Sequence, residues 1–273
     1  MATQHRRTLI ECRELLLTLA WKTIALRYKQ AYLGILWAVI KPVALVLIFS
    51  LVRSFVGIDS GDTPYPVLTF AALMLWIFFQ EAASDGVNSI VGNVHLIRKI
   101  YFPREIFPIS SVVTKLVELG INVVIVIGMM LAYGIPVTSM VLWAPVLILY
   151  TVAVALMIAF IGSALNVYYR DVGNALPVVL SLMMYCSPVI YPLALVEKKL
   201  IQEGAAGEWS DLLYGLYLAN PLAGLIDSFQ NIMLRGLPPD FSALLPGILI
   251  TLVGLPLSYS YFKRAERDFA DII

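Results

Sequence analysis

Five ionisable residues, Lys41, Glu81, Asp85, Lys115 and Glu118, stand inside stretches apolar enough to cross a bilayer. Counted from the expected cytoplasmic ends at about 1.5 Å per residue, they lie roughly 8 to 15 Å deep, in one layer. Glu81 and Asp85 are four residues apart and Lys115 and Glu118 three apart, so each pair shares a helix face. Charge at such depth faces the interior of a bundle or a watery cavity, and it pairs with other charge. Two uses follow: salt bridges that fix helix packing, or the polar lining of a conduit. Lys41 is expected to pair with Glu81 or Glu118.

Trp37, Trp76, Phe78, Phe79, Tyr185 and Tyr191 lie in or beside the same stretches. Sugar rings stack on aromatic faces and bond to Tyr and Trp through their hydroxyls, although packing and interfacial belts use the same residue types. With Lys41 and Glu81 they form the candidate channel or substrate set. Catalytic chemistry is not indicated. The two histidines, His5 and His95, are ninety residues apart with no acidic pair at metal-ligand spacing, so neither a catalytic nor a metal site is assigned. A membrane-embedded glycan transferase would have to use Glu197, Asp211 or Asp227, which are isolated from one another. With no Gly-Lys dipeptide the chain lacks a nucleotide-cradling P-loop. No cofactor is expected in this chain, and any ATP and Mg belong to a partner.

The elements that must hold these residues are membrane helices. Of 273 residues 60% are hydrophobic and 14% charged, against about a quarter charged in soluble domains. Six runs approach the ~20 residues a spanning helix needs: about 33–56, 67–90, 108–133, 140–166, 175–195 and 243–262. The first, "LGILWAVIKPVALVLIFSLV", carries Lys41 beside Pro42. A central lysine costs roughly 2.5 to 3.5 kcal/mol, which the surrounding Leu, Ile, Val and Phe outweigh. Pro42 frees the carbonyl of Ala38 and bends the helix.

Before that run, residues 8–30 have helical spacing, with Glu11, Glu14, Thr18, Lys22 and Lys29 within about a third of the wheel. Arg13 and Arg27 break the pattern, and a helix in the membrane interface would let them snorkel to headgroups. Thirteen of the 19 basic residues fall on one side if the N-terminus is cytoplasmic. The positive-inside rule therefore places both ends in the cytoplasm. A net charge of +1 gives no reason to expect nucleic acid. Cys12 and Cys186 do not suggest a disulfide framework.

Two cytoplasmic loops stand out. "HLIRKIYFPREIFP", residues 95–108, mixes Leu96, Ile97, Ile100, Tyr101 and Phe102 with Arg98, Lys99 and Arg104. Such apolar content suits a short helix docking into a partner's groove. The second, "NVYYRDVGN", holds Arg170 and Asp171.

"RYKQAYLGILWAVIKP", "RKIYFPREIFP", "LNVYYRDVGN", "SPVIYP" and "NPL" occur here in the order and spacing of type-2 ABC polysaccharide exporter permeases, the family of O-antigen and teichoic acid export subunits. The resemblance runs from about residue 20 to residue 262. It implies one all-α membrane domain over 1–273, with six spans, an N-terminal interfacial helix and periplasmic re-entrant helices before the last span. It also implies a homodimer in the cytoplasmic membrane, two copies of a separate ATPase, and a polyprenyl-pyrophosphate-linked glycan as cargo. By position, Trp21, Arg27, Leu33 and Gly34 would form a gate at the cytoplasmic mouth. Residues 95–105, with Arg170 and Asp171, would couple to the ATPase. Pro42 belongs to the family's pattern, whereas Lys41 does not. Capsule, teichoic acid, and lipid or drug export are the alternatives.

Overall fold

A computed structural model of the protein describes residues 13–29, 34–57, 63–99 and 102–272. All regular structure among them is helical. Helix α1 (Arg13–Lys29) leads through a 3-10 turn at Gly34–Leu36 into α2 (Trp37–Val56). There follow α3 (Tyr65–Asn88), the short α4 (Val94–Lys99), α5 (Ile106–Ala132), α6 (Ala144–Tyr168) and α7 (Asp171–Tyr185). Three further short helices, α8 (Leu193–Glu197), α9 (Ser210–Leu218) and α10 (Pro221–Gln230), precede α11 (Phe241–Ala265) and a final turn, α12 (Phe269–Ile272).

Helix α3 is the axis of the bundle, packed against α2, α5, α6, α7 and α10. Of the five helices long and apolar enough to span a membrane, it has the lowest mean hydropathy, 1.6, yet the largest buried share, 83%. Gln80, Glu81, Ser84, Asp85 and Asn88 in its lower half lower the hydropathy, whereas the buried share comes mainly from the apolar stretch 67–79 at the centre of the bundle. Small residues let it approach α6 closely. A Cβ on Gly86 would sit 2.5 Å from the Cβ of Ala159, and one on Gly162 would meet Val87 at 2.3 Å.

The five long helices are α2, α3, α5, the 3-10 turn plus α6 (Ser139–Tyr168), and α11. The run expected at 175–195 is instead a 15-residue apolar helix, α7, that starts earlier and stops at Tyr185. A turn at 186–191 follows, where Pro188 removes a backbone donor, and Pro192 removes another just before α8. Residues 193–235 form short helices joined by turns. Helix α10 lies against α3, α6 and α11, and a Cβ on Gly224 would fall 2.1 Å from the carbonyl oxygen of Ala243. Side chains cap the starts of α10 and α11: Asn220 accepts from Leu222 N, and Asp240 accepts from Ser242 N and Ala243 N.

Helix α1 packs on α5 through Leu15, Leu16 and Leu19, while Glu14, Thr18 and Lys22 point outward. Leu17 and Trp21 are also exposed. The outward face is therefore mixed rather than polar.

Candidate functional site

The charged layer closes around one cavity of about 480 Å³, bounded by α2, α3 and α5 and touched by Pro177 of α7. Lys115 sits at its centre. The side chain is only 4% exposed, and its Nζ donates to the Glu81 carboxylate and to Glu118 Oε1 at 3.3 Å, with Asp85 Oδ2 at 3.7 Å. Lys41 approaches Glu81 from the other side, Nζ to Oε1 at 2.5 Å, and its side chain is 49% exposed. The expected Lys41–Glu81 pair is therefore present, and Glu81 is shared between a buried and a half-exposed lysine. Helix geometry explains the convergence, because Glu81 and Asp85 lie one turn apart on α3 and face Lys115 and Glu118 on α5.

Three carboxylates against two lysines leave the wall with a net charge of −1. Two polar atoms of the wall, Ser84 Oγ and Asn122 Oδ1, are buried without a hydrogen-bond partner. Uncompensated burial of such atoms costs about 1 to 3 kcal/mol each; both are closed off from the cavity surface, whose accessible polar groups are the side chains of Lys41, Asp85, Glu81 and Glu118. Trp37 and Phe78 supply aromatic surface beside it. From the same layer Gln80 reaches across to α7: it accepts from Trp76 Nε1 at 3.1 Å and donates to Ser181 Oγ at 3.0 Å.

At the end of the bundle where α3 meets α4, His95, Arg98 and Lys99 turn outward. Ile97 and Phe102 are buried with Ile106, Phe107 and Phe160 in a second core, and Leu96 packs against it. Tyr169, Arg170 and Asp171 are exposed at the start of α7. Behind them Asn166 ties three helices together. Its Oδ1 accepts from Gly173 N at 2.8 Å, and its Nδ2 donates to Val87 O at 3.2 Å and Asn88 Oδ1 at 3.2 Å.

The sequence profile of the family described as ABC-2 type transporter matches residues 14–234, most of the chain and every wall of the cavity. The chain belongs to this family. Its relatives include the O-antigen export system permease protein RfbA of Myxococcus xanthus, 29% identical over 268 residues, which are 98% of each chain. RfbA of Klebsiella pneumoniae is 27% identical over 264 residues, 95% of each chain. The polysialic acid transport protein KpsM of Escherichia coli is 23% identical over 256 residues, 90% of this chain and 91% of that one.

For an ABC-2 transporter chain the residues named from sequence divide as follows. Trp37, Lys41, Phe78 and Glu81 line the cavity, and Gly34 lies at its edge with φ of +45°, a left-handed turn that favours glycine. Trp76 and Phe79 do not line it. Both are buried in the core, edge to face with centroids 5.7 Å apart, and their bulk serves packing. Tyr185 is exposed at the far end of α7, and its carbonyl accepts from Tyr191 OH at 2.8 Å. The apolar residues Ile97 and Phe102, expected to face a partner, turn inward because the short α4 has its own core to cover. Arg104 turns toward the end of α11 rather than outward. Trp21 is exposed on α1. Leu33, Ile100, Tyr101 and the side chain of Arg27 lie outside the described residues.

Sequence reasoning missed the Asn166 tie and a set of charges around Glu105. It also missed the environment of Asp227, outside the long helices, where burial pushes the carboxyl up to about 6 against the pull of Arg235 at 3.8 Å.

Proposed function

We propose that this chain is the membrane subunit of an exporter that moves a lipid-linked polysaccharide of O-antigen type across the cytoplasmic membrane. Near end-to-end similarity to proteins named O-antigen export permeases supports the class. The observation that carries the role is the polar cavity at membrane depth, whose accessible Lys41, Glu81 and Asp85 side chains and flanking Trp37 and Phe78 suit sugar hydroxyls and ring faces. In this reading two copies form the conduit between them, with both termini cytoplasmic. The lipid carrier comes in beside α1 and Gly34. A separate ATPase, which holds the ATP and Mg, docks on each copy at α4 and the Arg170–Asp171 step.

A long polymer does not fit a closed cavity of 480 Å³. Repeated short strokes along an open polar wall accommodate it instead. Likeness to a polysialic acid transport protein keeps an acidic, capsule-type cargo as the second reading. The net negative wall favours the uncharged glycan, because like charge at low dielectric is repelled. Inverted vesicles holding the chain and its ATPase, supplied with labelled polyprenyl-linked glycan, test both. ATP-dependent uptake of a neutral glycan, lost in Glu81→Gln with Trp37→Ala, is expected. Uptake of an acidic polymer alone, or uptake that the double variant leaves intact, would overturn this assignment.

A further inference from the structure

A second polar network lies at the cytoplasmic end, away from the cavity, and it joins the segment after α4 to the end of α11. Glu105 is buried at 4% exposure. Its carboxylate accepts from Lys263 Nζ at 2.8 Å and from Tyr259 OH at 3.4 Å. Lys263 Nζ also lies 2.6 Å from Glu266 Oε2. Glu266 closes the ring: its Oε1 accepts from the backbone N–H of Arg104 at 3.1 Å, and its carbonyl accepts from the Arg104 guanidinium at 2.6 Å. That guanidinium stands 5.8 Å from the ring centre of Phe269, which packs on Phe262 at 5.6 Å.

We propose that this clamp makes the last span part of the drive, with Glu105 and Lys263 as positioning residues that oblige α11 to follow the coupling segment. The inference rests on the proposed function for the existence of a stroke at α4. Its own content is the path the stroke takes. Separating a buried carboxylate from its lysine leaves an uncompensated charge, so the two segments are held to move as one body. The chain itself connects α4 only to α3 and α5. Through the clamp, displacement reaches α11, which spans about 37 Å at 1.5 Å per residue. Its far end meets α10 backbone to backbone at Gly224 and Ala243. A push at the ATPase would thus arrive directly at the short helices on the opposite side, without crossing the charged cavity.

The test uses the complete complex of the chain with its ATPase in liposomes, reading glycan exported per ATP hydrolysed. Lys263→Met and Glu105→Gln are expected to keep the ATPase bound and basal hydrolysis running, while glycan exported per ATP falls about tenfold. Lys263→Arg, which preserves charge and reach, is expected to restore the ratio. Wild-type ratios in both neutralised variants would overturn the clamp while leaving the function in place. Failure of both variants to accumulate as a complex would overturn it too, by showing a folding element only. If the wild-type complex itself exports no glycan with ATP, the proposed function fails, and that result is separable because it precedes any variant.

Discussion

At the scale of single residues, the two lysines that share Glu81 are not equivalent. Lys115 is enclosed and faces three carboxylates, whereas Lys41 is half-exposed and pairs with Glu81. Removing one partner from a buried ion pair costs about 3 to 5 kcal/mol because the remaining charge is stranded. An exposed pair is worth about 1 kcal/mol or less. Lys115→Met should therefore lower the thermal unfolding midpoint in detergent sharply, and Lys41→Met should barely move it. The reverse order would show that Lys41 is the keystone. The layer itself was legible from sequence, since any charge in a run of Leu, Val and Ile is conspicuous. The Glu105 clamp was not. Its members sit at span ends, where acidic and basic residues already have a use in setting topology, and Glu105 and Lys263 are 158 residues apart.

Among the elements, contact between helices is set by where backbone can come close. Gly224 and Gly120 both occupy helices, but their surroundings differ. A Cβ on Gly224 meets the carbonyl carbon and oxygen of Ala243 at 2.4 and 2.1 Å, and backbone cannot swing aside as a side chain does. Gly120 has nothing within 4 Å. Gly224→Ala should destabilise by about 3 kcal/mol through forced separation of α10 and α11. Gly120→Ala should be neutral or gain up to about 1 kcal/mol from helix propensity. Unfolding midpoints of the two purified variants decide this, and equal effects would refute the close approach. Long spans were readable because hydrophobic length is a strong signal, but α7 and α4 were less so. The apolar run at 175–195 continues through Pro188 and Pro192, so hydropathy overran the helix. Which face of α4 is inside is not legible in sequence, because a six-residue helix is too short for periodicity to decide it.

Across the whole molecule, the question is what covers the polar stripe that the single chain leaves open. Lys41 and Asp85 have side chains 49% and 40% exposed, and Ser181 of α7 is exposed beside Gln80 at the same level. A charged side chain facing hydrocarbon costs roughly 2.5 to 3.5 kcal/mol even on the lenient insertion scales. Lipid is therefore the wrong neighbour for this face, which spans α2, α3 and α7. Helix α11 offers the contrast, since Leu249, Leu252 and Val253 are exposed with no charge among them, as a lipid-facing surface requires. A second copy of the chain turned toward the stripe would enclose it together with water and place two cavities face to face. In a background with Cys12 and Cys186 replaced, Ser181→Cys should be joined by a flexible bismaleimide into a species of twice the 30.2 kDa chain. Leu252→Cys should remain monomeric under the same treatment. Cross-linking through Leu252 alone would put the partner on the opposite face and leave Lys41 and Asp85 without the cover that their charge demands.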